Sequence, residues 1–304
     1  MKVAMIGHGW VGTVHASQLA SERGVELVAV FSPERKKALE FASAHSIKHV
    51  SATLAEAVSL AEAVIVCSPS ALHYQQAREC LELGVHTLVE MPACETMKQA
   101  DILAEVAQKQ GVRVQCAHTS RYFDSYIRIG NSIRSGELGP VQEVNYVRLH
   151  KLLKRAWTDD ALLHHAMHPV DLMMDWFGGI TPKGCVALPQ ARGAQTVSLL
   201  GKLPHGAPAA VSVTFASRLT PVTDVRMLVV GKRHTVETDG FSYVRSDLEH
   251  LRSDTAGQAN YERAIHNQDV AFLHACQGER TGVDWQETVK LMGIINHFQE
   301  LGDR

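Results

Sequence analysis

Apolar residues are grouped in two different ways along this chain. Up to Cys116 they gather in short strand-like segments at residues 3–6, 26–31, 63–67, 86–90 and 112–116, unbroken at 3–6 and 63–67. Runs with no polar alternate face are strands covered on both sides in a parallel sheet. Residues 35–44, 54–60, 71–83 and 96–110 lie between them with helical spacing, and Gly84 and Gly111 act as stops. Beyond His118 the pattern changes. A helix over 121–134 is followed by the turn SGELGP, and then by an alternating, half-buried strand over 141–149. Alternation returns at 196–200, 209–215, 225–230 and 234–237, divided by Gly206, Pro221, Gly231 and Gly240. That spacing predicts an antiparallel sheet with one face covered. Pro169 suits the first position of a helix running to Phe177, and two more helices, near 261–277 and 285–301, close the chain. The reading is α/β: a doubly wound parallel sheet in domain 1–119, and an α/β domain with an open, mostly antiparallel sheet in 120–304.

The first strand runs straight into MKVAMIGHGWVG, with glycines at 7, 9 and 12. Gly7 permits a tight turn, Gly9 leaves the backbone open to a pyrophosphate, and Gly12 lets the next helix lie close to the strand. The helix start adds N–H groups and a positive dipole end. An ordinary glycine-rich turn has the same letters, but here they sit in a strand–turn–helix frame. In such a sheet the ligand crevice lies at the strand carboxyl ends. Gly7, Gly9, Trp10, Val11 and Gly12 fall there, as do Ser68 and Pro69, and Glu90, Met91 and Pro92.

Just past the second strand stands Ser32, where a dinucleotide site often has an acid for the adenosine ribose. Arg35, Lys36 and Lys37 follow closely. Arg35 can fork a phosphate, which favours NADP over NAD. The competing reading makes 35–37 a solvated helix turn and gives the ribose to Glu34.

The chain has 304 residues, with 30 Lys+Arg against 32 Asp+Glu, and no basic block or acidic tail. That balance favours neither nucleic acid nor a membrane surface as a partner. No apolar run approaches the ~20 residues that span a bilayer. The first residues enter a strand rather than a signal peptide. Six scattered cysteines without C-x-x-C read as reduced thiols of a cytoplasmic protein.

Three further motifs accompany the glycine turn: S-P-x-x-x-H at 68–73, V-E-x-P at 89–92 and H-x-x-D at 168–171. Together they resemble the glucose–fructose oxidoreductase/inositol dehydrogenase/MocA family over nearly the whole chain. The resemblance implies a Rossmann domain followed by an α/β domain whose open sheet is often an oligomer face, hence a homo-dimer or tetramer. It implies that Ser68, Pro69 and His73 line the cofactor and that Glu90 attends the nicotinamide ribose. Most members read E-K-P, and this chain has Met91 in place of the lysine. An Asp usually stands four residues before the catalytic His, and here the residue is His164. A thioether cannot exchange a proton. Proton handling therefore moves to imidazole, which titrates near neutrality.

The stretches VEMPACET, HTSRYFDSY and AWTDDALLHHAMHPVDL are similar to the group of 4-carboxy-2-hydroxymuconate-6-semialdehyde dehydrogenases. That group shares the missing lysine and the double His and prefers NADP. Its members oxidise the cyclic hemiacetal of the semialdehyde to 2-pyrone-4,6-dicarboxylate in protocatechuate 4,5-cleavage. The implied chemistry is hydride loss from the hemiacetal carbon to nicotinamide while a base takes the hydroxyl proton. His168 is the first choice of base, and Asp171 either orients it or opposes the helix dipole. His164 and His165 would bind or polarise the substrate. Arg121, Lys154 and Arg155 are candidates for its carboxylates, and His118 and Tyr122 for the pocket lining.

Other readings stand beside this one. With 17 histidines some clusters arise by chance. His164, His168 and Asp171 could in principle ligate a metal, but Pro169 speaks against one continuous helix there and no metal is expected. Trp157 and Trp176 read as packing. The alternatives are a sugar or polyol dehydrogenase or carbonyl reductase of the same family, and a non-catalytic dinucleotide sensor.

Overall fold

The computed structural model describes residues 1–151, 160–189, 193–218 and 223–302. Its contacts divide the chain into two units: Met1–His118 with Ile265–Met292, and Thr119–Ala264 with Gly293–Arg304.

The first unit is built on six strands: β1 (Lys2–Ile6), β2 (Glu26–Phe31), β3 (His49–Ser51), β4 (Ala63–Val66), β5 (His86–Val89) and β6 (Val114–Cys116). Their order is β3-β2-β1-β4-β5-β6 with every pair parallel. The helices between them are α1 (Trp10–Leu19), α2 (Arg35–Ala44), α3 (Leu54–Ser59), α4 (His73–Glu82) and α5 (Met97–Gln110). The order reverses between β1 and β4, which is where such a sheet opens a crevice for a dinucleotide. Thr53 caps α3 and Thr96 caps α5 through their hydroxyls, and Gly111 ends α5 in the left-handed conformation.

The unit is not one continuous stretch, as a split at 119/120 would require. Residues 265–292 return to it, because Phe272 and Leu273 belong to the same core as Val3, Met5, Ile65 and Leu88. Phe272 is fully buried, and truncating such a side chain costs about 3–5 kcal/mol. The Trp285 indole N–H donates to the Ala100 carbonyl at 3.0 Å, tying the returning segment to α5.

The second unit contains α6 (Asp124–Arg134), β7 (Val141–Lys151), α7 (Met167–Phe177), β8 (Thr181–Pro189), β9 (Ala194–Lys202), β10 (Pro208–Ser217) and β11 (Thr223–Gly231). Short strands β12 (Thr235–Thr238), β13 (Tyr243–Ser246) and β14 (Ser253–Asp254) complete its sheet; α8 (Gly257–Cys276) and α9 (Trp285–Gly302) close the chain, their residues 265–292 belonging to the first unit. The order is β14-β13-β12-β11-β7-β10-β9-β8. Among the described residues only β7 and β10 run parallel, so the sheet is mostly antiparallel, as expected, with one parallel pair at its centre.

Along β7 the alternation works as its sequence predicts. Val144, Tyr146 and His150 are buried on one face, and Val147 is exposed on the other. The open face carries Val147, Val186, Leu188 and Leu200, with Thr196 paired to Thr214 at 2.7 Å and Ser198 to Ser212 at 3.3 Å across the strands.

The path into α7 differs from expectation. A π-helical turn, Ala161–Ala166, runs directly into α7, so Pro169 is not the first helical residue. Proline lacks an N–H and crowds the carbonyl four residues back. A wider turn ahead of it absorbs both defects, and such turns are frequent at functional sites. Asp160 caps the turn, its Oδ1 accepting from the Leu162 and Leu163 N–H groups at 2.8 and 3.4 Å.

Candidate functional site

In the first unit the glycine turn has the form a dinucleotide needs. Gly7 has φ +115, and a Cβ there would lie 2.7 Å from the Cys67 carbonyl carbon and oxygen. A Cβ on Gly12 would come 2.9 Å from the Cys67 sulfur. Both positions therefore hold the turn against the end of β4; Gly7 tolerates only glycine, and a side chain at Gly12 would have to displace the Cys67 sulfur. At Gly9 an added Cβ would meet nothing within 4 Å. Its peptide is open to a phosphate, and α1 starts there without a side-chain cap. These residues fit a dinucleotide. Trp10 is 63% exposed beside them, and Val11 is partly buried against the core.

His73 is buried. Its ring nitrogens lie 2.9 Å from the Pro92 carbonyl oxygen and 2.7 Å from that of Ser68. It thereby joins the segment after β4, with Ser68 and Pro69, to the segment after β5, with Glu90, Met91 and Pro92. Met91 is buried. At the end of β2, Ser32 is buried and its hydroxyl lies 2.8 Å from His8 Nδ1. Arg35 begins α2 and is exposed, while Glu34 pairs with Lys37 at 2.5 Å. That pairing, made by hydrogen bond and charge, lowers the Glu34 carboxyl below its ordinary range.

The sequence reading missed two residues of this unit. His15 of α1 is fully buried between carboxylates, with Nδ1 2.7 Å from Asp269 and Nε2 2.9 Å from Glu90. Burial opposes its charge, but the carboxylates outweigh burial and push its pKa up to about 10. Burial raises the Asp269 carboxyl, against the pull of His15. Glu90 is thus held by a cation from below at the carboxyl end of β5. His15 shows itself in the sequence only as an apolar-face histidine. His118, expected in the pocket lining, is fully buried with Nε2 2.9 Å from the Thr288 hydroxyl.

In the second unit the π turn and the head of α7 gather the expected imidazoles. The rings of His165 and His168 are 6.4 Å apart, and His165 stacks on His150 of β7 at 5.2 Å. Phe215 closes against His165 at 4.8 Å. The Ser120 hydroxyl lies 3.4 Å from His168 Nδ1. His164 Nδ1 accepts from the Asp160 N–H at 2.9 Å. Burial first, then the charge of Arg148 and the neighbouring imidazoles, drive the His165 pKa well down, so this ring stays neutral.

Arg121 and Asp171 form an ion pair that was not anticipated. Arg121 Nε donates to both carboxylate oxygens at 3.0 and 3.1 Å, and Nη2 donates to Oδ1 at 2.6 Å. Asp171 is fully buried. An arginine expected on a substrate carboxylate thus has a carboxylate of its own, and Asp171 has a stronger partner than a helix dipole. Tyr122 ends the short turn Thr119–Tyr122 and is half-buried. Trp176 is buried in packing against Tyr126. Lys154, Arg155 and Trp157 lie outside the described residues. Among the described residues no group of His, Cys, Asp or Glu is arranged to hold a metal ion, and no helix is long and apolar enough to cross a membrane.

Comparison with known proteins adds to this geometry. Residues 1–118 match the model of the GFO_IDH_MocA oxidoreductase family, NAD-binding Rossmann fold. A 4-carboxy-2-hydroxymuconate-6-semialdehyde dehydrogenase of Sphingobium sp. (strain NBRC 103272 / SYK-6) is 33% identical over 227 residues, covering 71% of this chain and 72% of the relative. The scyllo-inositol 2-dehydrogenase (NADP(+)) IolW of Bacillus subtilis is 25% identical over 254 residues, 76% of this chain and 67% of its own. Among solved structures, GenD2 from gentamicin A biosynthesis, in complex with NAD, superposes with a TM-score of 0.87 at 20% identity. That match covers 100% of this chain and 94% of GenD2, and shows the shared fold.

Proposed function

Given that the chain belongs to the Gfo/Idh/MocA oxidoreductase family and is an NAD(P)-dependent dehydrogenase, we propose that it oxidises a hemiacetal or hydroxyl carbon of a small carboxylated substrate. The specific reaction of this reading is 4-carboxy-2-hydroxymuconate-6-semialdehyde to 2-pyrone-4,6-dicarboxylate, in aromatic catabolism. The single observation that carries it is the imidazole cluster at the head of α7, in a chain whose β5 end has Met91 where a proton-transferring side chain would stand. When bound, NADP supplies the hydride acceptor. Gly7, Gly9 and Gly12 would hold its pyrophosphate, and Glu90, fixed by His15, would attend the nicotinamide ribose. His168 removes the hydroxyl proton as the carbonyl forms, with Ser120 beside its Nδ1. His165, neutral and enclosed, donates to or accepts from the substrate without adding charge, and His164 sits one turn back. The ring hemiacetal oxidises directly to a lactone, so no cysteine nucleophile is needed. Four buried cysteines, Cys67, Cys80, Cys94 and Cys116, suit that reading and a cytoplasmic location.

The preference for NADP is supported by Ser32 in the acid's place and by the exposed Arg35. Assembly of copies through the open sheet face is supported by its exposed Val147, Val186, Leu188 and Leu200. The experiment is NADPH formation, followed by absorbance, with the ring-cleavage semialdehyde and a sugar panel, each with NADP and NAD. Turnover of the semialdehyde with NADP supports the proposal. Turnover confined to polyols would replace it with the second reading, which the scyllo-inositol relative favours.

A further inference from the structure

Arg148 is a half-buried cation with no carboxylate partner among the described residues. It lies on β7 between Tyr146 and His150 along the covered face of the sheet. Its cross-strand neighbours are Val213 of β10 and Val225 of β11, both buried. The Arg148 Nε is closed off from solvent and has no hydrogen-bond partner. Among the described residues no carboxylate pairs with it, whereas Arg121 has Asp171, Arg134 has Asp175 and Arg263 has Asp124. A guanidinium removed from water without a counter-charge is costly. The Tyr146 hydroxyl hydrogen-bonds the guanidinium, but no polar group nearby supplies a counter-charge. The Tyr146 hydroxyl is held protonated by burial, and Arg148 alone opposes that shift. His165 is neutral, and its Nδ1 is likewise enclosed and unpartnered. His150 turns its Nδ1 to the Lys151 carbonyl at 2.8 Å. The cluster is therefore one fixed positive charge among uncharged polar groups.

We propose that Arg148 is the anchor for a carboxylate of the substrate, with His165 as its companion. This rests on the reading of a carboxylated substrate given above and names the residue that reads that group. The planar guanidinium fork matches a carboxylate in geometry as well as charge. The bound anion would remove the desolvation penalty that the protein alone leaves unmet. A sugar or polyol offers no such charge, so Arg148 would favour acids over neutral substrates of the same size.

The test titrates isophthalate, and its neutral diamide isophthalamide, into the protein saturated with NADP, and reads binding by calorimetry. Wild type is expected to prefer isophthalate by about tenfold or more. Arg148→Gln should bring the two probes to within about twofold, and Arg148→Lys, which keeps the charge without the fork, should recover part of the preference. Circular dichroism checks both folds. If Arg148→Gln does not fold, Arg148→Lys decides: a weaker isophthalate preference with the diamide unchanged supports the proposal, and an unchanged preference overturns it. A wild type without the preference, or a folded Arg148→Gln that retains it, also overturns it. These readouts need no turnover. Failure to oxidise the semialdehyde would remove the proposed reaction and leave the carboxylate anchor standing.

Discussion

His15 Nδ1 lies 2.7 Å from Asp269 Oδ2, although 254 positions of chain separate them. With Glu90 at 2.9 Å on the other nitrogen, the ring is an imidazolium between two carboxylates. Its pKa is raised to about 10, so the folded state holds a proton that the unfolded chain releases above its ordinary 6.5. The stabilisation is fully present below about pH 6.5, declines through the interval, and is gone above about pH 10. Urea unfolding of wild type and His15→Asn should show a stability gap that is largest at the acid end of that window and shrinks toward pH 10. A gap independent of pH would mean that the ring is neutral.

His165 acts in the opposite sense. Its pKa is driven well below 6.5 by burial and by Arg148, so acid must charge the unfolded chain before the folded one. This part of the stability is present above about pH 6.5 and is lost as the pH falls below it. His165→Phe keeps the ring packing on His150 and Phe215 and removes the proton site. Relative to wild type the variant should gain stability steadily from pH 7 to pH 5 in thermal or urea unfolding.

The Arg121–Asp171 pair is enclosed, with side chains 12% and 1% exposed. Removing one partner leaves a buried charge, at a cost of about 3–5 kcal/mol. Arg121→Ala should therefore lower unfolding free energy by about that amount. Arg121→Ala should also unfold at lower temperature with NADP bound, whatever it does to substrate affinity.

Arg35 stands exposed at the start of α2, three residues beyond the buried Ser32. Arg35→Ala should raise KM for NADP by about tenfold and leave KM for NAD within about twofold. An equal change for both coenzymes would give the adenosine ribose to Glu34.

Local features were legible in the sequence, and contacts between distant residues were not. The glycine turn, the ends of β4 and β5, and the alternation along β7 are written in neighbouring residues, and the structure holds them in place. β3 has three residues, too few to show a period, and β8 is exposed along most of one edge, which dilutes its pattern. Pro169 marks a helix start by local rules, but the π turn before it carries the helix through. The pairing of His15 with Asp269 leaves no spacing signal, since one is in α1 and the other in α8. Arg148 reads as the polar alternate of a half-buried strand, and only the register with Val213 and Val225 reveals that it lies on the covered face.

The most direct measurement is turnover by His168→Ala at saturating NADP, with coenzyme affinity determined on the same sample. With imidazole as the base, kcat should fall by about a hundredfold to ten-thousandfold while the Kd for NADP stays within about twofold. Wild-type kcat in that variant would take His168 out of the chemistry and with it the substitution of histidine for the family's lysine.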